Sequence, residues 1–158
     1  VIVRLGSELS TLRPSILAGH SLGEYTALAV AGALDVQEAI WLVGERGRLM
    51  QEAGEKSGGG MGAVLGLDTI SVEEVCQETG MEIANINSDD QIVISGPKDA
   101  MARALDMAKA RGARKVIPLR VGGAFHSSLM ESAVEGMKHA MKKVTLRQPT
   151  IPAAVTAR

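Results

Sequence analysis

One five-residue segment, Gly19–Gly23, constrains the fold of this chain more than any other part of the sequence. It has the pattern Gly-x-Ser-x-Gly around Ser21, and it separates a short apolar run, Ile16–Ala18, from a stretch of helical character, Leu22–Ala33. A serine at a sharp strand-to-helix turn has a strained backbone that exposes its hydroxyl group. The N–H groups that begin the next helix point towards any oxyanion formed beside it. The segment therefore predicts a nucleophile elbow.

The same five residues also fit a glycine-bordered turn in which the serine has no chemical role, since short patterns recur by chance. The flanking segments favour the elbow, because the apolar run and the helical stretch both lack proline. Ser21 is therefore the candidate nucleophile.

Composition predicts a single soluble domain. The chain has 158 residues, of which 46% are hydrophobic and 22% are charged, so it can bury a real core. With one Phe, one Trp and one Tyr, that core must consist mainly of aliphatic residues and the eight Met. The formal net charge of −1 provides no basic field, and we therefore expect no nucleic acid partner.

The single cysteine, Cys76, excludes an internal disulfide and fits a reducing compartment, which predicts a cytoplasmic protein. Its helical surroundings predict a core thiol. His and Cys show no metal-ligand spacing, so we expect no metal and no other cofactor. No apolar run reaches membrane-spanning length and the N-terminus has no signal-peptide pattern, so we expect no membrane partner. Because the chain starts at Val1 and stops at Arg158, we expect it to be a piece of a longer protein.

The first third of the chain reads as helix, strand, elbow and two further helices. Residues 1–12 predict the tail of a helix and Ser15–Ala18 a buried strand. After the elbow helix, Asp35 predicts the N-cap of a helix that runs to about Ala53. Gly54–Gly60 contains three consecutive glycines and predicts a flexible connector at a subdomain boundary.

Strands and helices alternate beyond this connector. The predicted helices are one that follows an N-cap at Ser71 and ends before Gly80, and one from Pro97 to about Ala110. The predicted strands are Met61–Leu67, Glu82–Asn87, Gln91–Ser95 and Lys115–Val121. The resulting order, βαββαβ, is that of a ferredoxin-like subdomain. A helix over residues 128–142 and a strand over Ile151–Val155 then return to the larger unit.

The predicted fold class is therefore α/β, with a partial α/β-hydrolase-like large subdomain into which a ferredoxin-like small subdomain is inserted. The large subdomain comprises residues 1–60 and, truncated, 122–158. The small subdomain comprises residues 61–121.

A serine nucleophile needs a base, most often an imidazole, and the chain has three histidines. His139 lies among lysines on a helix and reads as a surface residue. His20 adjoins Ser21, but neighbours on a tight turn point in different directions, so we expect His20 to shape the elbow or to line the pocket. His126 follows a strand within a glycine-containing loop, where its ring can project into a cleft. His126 is the candidate base.

Three segments together resemble the malonyl-CoA:acyl carrier protein transacylases and the related acyltransferase domains of modular synthases. They are Gly19–Tyr25, Glu45–Gln51 and Gly123–Ser127, which occur in the family's order and spacing. The resemblance implies that Ser21 is acylated, that His126 is the general acid and base, and that the N–H of Leu22 contributes to the oxyanion hole. It also implies malonyl-CoA and acyl carrier protein as partners in fatty acid biosynthesis.

In this resemblance Arg46 would bind the free carboxylate of the malonyl group. The chemistry agrees, because a guanidinium binds a carboxylate through two parallel charge-assisted hydrogen bonds. Gly47 beside it leaves room for a substrate, although a single helix arginine is by default an exposed cation. Phe125 resembles the malonyl-type pattern, in which a bulky ring crowds the space that a methyl branch would need.

The chain also departs from the family pattern. It lacks the N-terminal glutamine motif that supplies a second oxyanion donor and the later residue that orients the histidine. The segment Ile151–Arg158 lacks the usual asparagine-containing stretch. The sequence therefore provides nucleophile, base and carboxylate anchor, without the full oxyanion hole.

Two other functions remain open. A serine esterase or thioesterase of the α/β-hydrolase type shares the elbow, but it requires a triad acid before the histidine. The aspartates at positions 89, 90, 99 and 106 all fall in the inserted subdomain. A non-catalytic fragment that only docks carrier protein is the second alternative.

Overall fold

The computed structural model describes residues 14–154. The helix predicted over residues 1–12 and the last residue of the strand predicted over Ile151–Val155 lie outside this range. The first elements are strand β1 (Leu17–Ala18), helix α1 (Leu22–Val30) and the long helix α2 (Val36–Ser57). The elbow segment thus separates a strand from a helix, as the sequence predicts.

A four-stranded antiparallel sheet occupies the middle of the chain. Its strands are β2 (Gly59–Leu65), β3 (Glu82–Ser88), β4 (Gln91–Pro97) and β5 (Lys115–Leu119), which lie in the order β3-β4-β2-β5. Helix α3 (Thr69–Thr79) follows β2, and helix α4 (Lys98–Ala110) follows β4.

The last elements are a 3-10 turn (Ser128–Met130), helix α5 (Glu131–Met141) and strand β6 (Ala153–Ala154). Strand β6 pairs in parallel with β1, with Leu17 opposite Ala153. The chain is therefore a mixed α/β protein that contains a parallel and an antiparallel sheet.

The described residues form two compact units. The first unit contains residues 14–46 and 137–154, and the second contains Gly47–Gly136. In the first unit, Leu34, Ala39 and Leu42 pack with Ala140 of α5, and Tyr25 of α1 joins this core.

In the second unit, both faces of the antiparallel sheet are covered. Alternate side chains of a strand point to opposite faces. Val64, Ile92 and Ile94 pack against α3 and α4, in a core that also holds the buried thiol of Cys76. Met61, Ala63 and Val93 pack on the other face, where Phe125 joins them. The prediction that Cys76 is a core thiol is confirmed.

The prediction of a flexible connector over Gly54–Gly60 is wrong. Gly54 lies within α2, and Gly59 and Gly60 begin β2, so that only Gly58 stands between the two elements, with φ 60°. A side chain at Gly54 would collide with other backbone, since its β carbon would lie 2.5 Å from the carbonyl oxygen of Gly122. Glycine at this position permits close packing of backbone segments.

The predicted N-cap of α3 is also wrong. Asp68, and not Ser71, is the cap, and its carboxylate accepts hydrogen bonds from the backbone N–H of Ser71 at 3.0 Å and from its hydroxyl at 2.7 Å. These bonds favour the ionised carboxylate and lower the pKa of Asp68. Within residues 14–154, none of the helices combines the length and the apolar character that a membrane crossing requires.

Candidate active site

Ser21 occupies a strained turn between β1 and α1. Its φ is 54° and its ψ is −108°, a combination that L-amino acids rarely adopt. Among residues 14–154, the non-glycine residues with positive φ are Ser21 and His126, whose φ is 61°. Backbone strain of this kind costs about 1–3 kcal/mol per residue and concentrates at functional sites. The predicted nucleophile and the predicted base thus each have a strained backbone conformation.

Gly19 makes the elbow possible. A β carbon at Gly19 would lie 2.1 Å from both the carbonyl carbon and the carbonyl oxygen of Gly23, and 2.4 Å from the nitrogen of Glu24. Those are fixed backbone atoms that a side chain cannot displace cheaply. A β carbon at Gly23, in contrast, would meet no atom within 4 Å. Of the two glycines in the motif, Gly19 is therefore the one that close backbone approach requires.

The rest of the turn is closed by backbone hydrogen bonds. The N–H of Gly23 donates to the carbonyl of His20 at 2.9 Å, and the N–H of Glu24 donates to that of Ser21 at 3.2 Å. His20 itself is exposed. Leu22 is the first residue of α1, and the side chain of Ser21 does not cap this helix. The N–H groups of Gly23 and Glu24 are thus engaged in the turn, and the candidate oxyanion donor at this helix start is the N–H of Leu22.

Arg46 contacts the candidate nucleophile directly. Its Nη2 donates a hydrogen bond of 2.7 Å to the Oγ of Ser21, 25 positions earlier in the chain. Arg46 lies on α2 and is half-buried, so it is not the exposed helix cation that is the default for a single arginine. The structure brings together Ser21 and Arg46, two residues to which the sequence assigns related roles.

The charge of Arg46 also reaches α1. Burial raises the pKa of Tyr25, while the nearby guanidinium of Arg46 opposes this rise by favouring the phenolate. Arg46 therefore adds positive charge to the segment that begins with the elbow. Such a charge suits a ligand that carries a carboxylate.

The loop that contains His126 belongs to the second unit, and hydrogen bonds hold the residues that flank His126 in the sequence. The Oγ of Ser127 donates to the carbonyl of Ala124 at 2.6 Å. The N–H and the Oγ of Ser128 both donate to Oε1 of Glu82, at 2.9 and 2.5 Å. Sequence reasoning missed Glu82, because a contact between residues 46 positions apart leaves no local signal.

Close packing of backbone fixes the same loop. A β carbon at Gly123 would lie 2.8 Å from the α carbon of Gly54, and one at Gly59 would lie 2.3 Å from the β carbon of Ala124. Phe125 is half-buried and packs between the sheet and the cluster formed by Ala53, Met130 and Ala133. His126, which is half-buried as well, follows a segment with little freedom to move.

Of the predicted site residues, His20, Ser21, Leu22 and Arg46 lie in the first unit, and Phe125 and His126 lie in the second. His139 is exposed on α5, as predicted. In the part of the chain that the structure describes, no three His, Cys, Asp or Glu side chains are arranged to hold a metal ion.

Comparison with known proteins identifies the class of this chain. Residues 6–158 match the family model described as the acyl transferase domain, and the chain belongs to that family. It is 41% identical over 143 residues to the malonyl CoA-acyl carrier protein transacylase of Salmonella typhimurium, which covers 88% of this chain and 46% of the relative. It is 40% identical over 148 residues to the protein of the same name from Bacillus subtilis, and this match covers 90% of this chain and 47% of the relative.

Solved structures give the same result. The malonyl CoA-acyl carrier protein transacylase of Coxiella burnetii has a TM-score of 0.92 at 41% identity, over 96% of this chain and 49% of that protein. A malonyl-transacylase in complex with a type II polyketide synthase acyl-carrier protein has a TM-score of 0.91 at 40% identity, over 96% and 50%. The chain thus spans about half the length of the relatives that it matches.

Proposed function

We propose that the protein to which this chain belongs transfers a malonyl group from malonyl-CoA to the phosphopantetheine thiol of acyl carrier protein, in fatty acid biosynthesis. The observation that carries this proposal is the hydrogen bond from Arg46 to the Oγ of Ser21. It places a carboxylate-binding group beside a strained serine hydroxyl, which is what a substrate with a thioester and a free carboxylate requires. The relatives compared above are named malonyl CoA-acyl carrier protein transacylases, which also supports this proposal.

The first half of the reaction is acylation of Ser21. His126 takes the serine proton while Oγ attacks the thioester, and the new bond joins Oγ to the carbonyl carbon of that thioester. The tetrahedral intermediate then collapses and the carbon–sulfur bond breaks. Coenzyme A leaves as a thiol, with the proton that His126 carried. The backbone N–H of Leu22, the first residue of α1, stabilises the oxyanion in between.

The second half returns the acyl group to a thiol. The carrier protein's phosphopantetheine attacks the malonyl-serine ester, and His126 passes the thiol proton to the departing Oγ. The complex of a related malonyl-transacylase with its acyl-carrier protein supports a carrier protein as the second partner. We propose neither a nucleic acid nor a membrane partner, and no cofactor.

We propose a role in substrate selection for each of three side chains. Arg46 binds its carboxylate, His20 lines the pocket at the elbow, and the ring of Phe125 excludes a methyl branch, which favours malonyl over methylmalonyl. The packing of Phe125 against buried side chains supports a fixed ring position. A rigid ring discriminates by size better than a mobile one.

We further propose that residues 61–121 form a ferredoxin-like subdomain inserted into an α/β-hydrolase-like subdomain made of residues 1–60 and 122–158. The antiparallel order β3-β4-β2-β5 supports the first part of this proposal. The parallel pairing of β6 with β1 supports the second, because it joins the two ends of the described chain in one sheet. The buried free thiol of Cys76 supports a cytoplasmic location.

A partition assay tests the proposed function. The full-length protein is incubated with malonyl-CoA and phosphopantetheinylated carrier protein, and malonyl-carrier is measured against free malonate. A transferase gives malonyl-carrier in large excess. Dominant release of malonate would instead show a hydrolase, and carrier binding without either product would show a docking fragment.

A further inference from the structure

The candidate nucleophile and the candidate carboxylate anchor are hydrogen-bonded to each other. Nη2 of Arg46 lies 2.7 Å from Oγ of Ser21, which is a full hydrogen bond from a cation to a neutral oxygen. Both residues belong to the first unit, and both are half-buried. Partial burial strengthens a charge-assisted bond, because less water competes for it.

This bond favours the resting serine over the reacting one. A cationic donor is held most strongly while Oγ keeps its electron density. Because the base removes the serine proton while Oγ attacks, Oγ passes from a hydroxyl to a neutral ester oxygen, which is a weaker acceptor. An interaction that is stronger in the ground state than in the transition state raises the barrier. Arg46 therefore restrains Ser21 for as long as it remains bonded to it.

We propose that a substrate carboxylate releases this restraint, so that the malonyl carboxylate activates the nucleophile in addition to being recognised. A carboxylate offers Arg46 a bidentate, oppositely charged partner, which a hydroxyl oxygen cannot match. When the guanidinium turns to the carboxylate, its hydrogen bond to Oγ is broken and no longer opposes the attack. An acyl group without a carboxylate must break the bond to Arg46 with nothing in return. This inference rests on the proposed function, because it assigns a second role to the same arginine.

Because the restraint acts on the attacking oxygen, specificity for a carboxylate-containing acyl group arises in the acylation step as well as in binding.

Arg48 provides a control on the same helix. Arg46 and Arg48 flank Gly47 on α2, but they have different partners. Arg48 is exposed and its Nη1 donates to Oε1 of Glu52 one helical turn later, at 2.7 Å. Arg48 is thus a matched arginine on the same helix with its own carboxylate partner, and it serves as the control.

The test uses a neutral reagent that reports on the reactivity of Ser21, and any labelling that persists in Ser21→Ala is subtracted. A small sulfonyl fluoride reacts with Oγ to form an oxygen–sulfur bond, and it releases fluoride and the serine proton. Acetate serves as the probe, because it has the carboxylate and the adjacent carbon of the malonyl group but lacks the thioester carbonyl. It therefore leaves the space beside Oγ open for the reagent. Acetamide is its uncharged counterpart, and chloride matches the ionic strength. The rate of labelling is followed by intact-protein mass spectrometry on the full-length protein.

We expect acetate to accelerate labelling of Ser21 by about tenfold or more at saturation, the value of a hydrogen bond to a charged group. Acetamide and chloride should have no effect. Arg46→Ala should be labelled fast without acetate and should not respond to it, whereas Arg48→Ala should respond like the wild type. A rate that acetate leaves unchanged or lowers would overturn the proposal, as would equal labelling of the wild type and Arg46→Ala, or no labelling under any condition.

The same preparation separates this inference from the proposed function. Wild-type protein is incubated with malonyl-CoA in parallel and its mass is measured. If a malonyl adduct forms but acetate does not accelerate labelling, the release mechanism is wrong and the transferase remains. If acetate accelerates labelling but no malonyl adduct forms, the proposed function is wrong and the coupling of Arg46 to Ser21 remains.

Discussion

Gly19 and Gly23 approach each other so closely that a β carbon on Gly19 would lie 2.1 Å from the carbonyl carbon of Gly23. The strand end before Ser21 and the first turn of α1 are therefore in backbone contact. Ser21, with a φ of 54°, lies in the turn between them.

Gly19→Ala should damage the elbow, and Gly23→Ala should not damage the fold. The alanine methyl at position 19 must displace fixed backbone, an overpacking that costs about 1–3 kcal/mol in unfolding free energy. At position 23 the methyl meets no atom within 4 Å, and alanine is the better helix former. Denaturant unfolding of the two variants measures the difference. Equal stability of both variants would show that the elbow relaxes around the methyl group.

His126→Ala should slow acylation of Ser21 by a factor of roughly 10² to 10⁴, the usual contribution of a positioned general base. His20→Ala should slow it less, because His20 is exposed and contributes its backbone carbonyl to the turn. Single-turnover acylation by malonyl-CoA, with circular dichroism to verify folding, measures both rates. A larger loss for His20→Ala in folded protein would reassign the base.

Arg46→Ala should change the ratio of malonyl to acetyl transfer and not lower both equally. The variant loses a charge-assisted contact to the malonyl carboxylate worth about 1.5–3 kcal/mol, or roughly 10- to 150-fold in kcat/KM. Acetyl-CoA has no carboxylate and should lose nothing. Arg46→Lys should recover part of the preference, since an ammonium cannot form the bidentate pair. Equal losses with both substrates would make Arg46 a structural residue.

The thiol of Cys76 should be unreactive at neutral pH. Burial, with smaller contributions from Glu73 and Glu82, raises its pKa to about 11. The thiolate is the reactive form, so an aromatic disulfide reagent should modify the folded protein slowly at pH 8 and faster as pH approaches 11. The folded state binds this proton more tightly than the unfolded state, and stability should therefore fall as pH rises from about 9 towards 11. Rapid modification of folded protein at pH 8 would contradict a buried thiol.

Local patterns predicted most of the elements, because each depends on a few neighbouring residues. The polar turn at residues 88–90 predicts a strand over Gln91–Ser95, and Pro97 predicts a helix to about Ala110, which are close to the observed bounds of β4 and α4. Glycine was the weakest signal. The pattern of Gly54–Gly60 indicates flexibility, although Gly54 and Gly59 serve for close packing, and a sequence window does not distinguish the two uses of glycine.

The sequence predicts individual residues of the candidate site, but it does not predict the contacts between them. The pattern around Ser21 indicated a strained turn, and the structure gives its φ of 54°. The bond between Arg46 and Ser21 spans 25 positions, and that between Ser128 and Glu82 spans 46. Such contacts arise from how α2 and the loop after β5 fold, which no local pattern determines. The sequence therefore gives no indication of the contact of Glu82 with Ser128 or of the hydrogen bond from Arg46 to Ser21.

The assignment of Ser21 as the acylated nucleophile is tested most directly by the mass of the protein after brief exposure to malonyl-CoA in the absence of carrier protein. The full-length wild type should gain one malonyl group, which peptide mapping should place on Ser21, and addition of carrier protein should remove it. Ser21→Ala should gain none, because the ester cannot form. A malonyl adduct that persists in Ser21→Ala, or that maps to another residue, would contradict the assignment of Ser21 as the nucleophile.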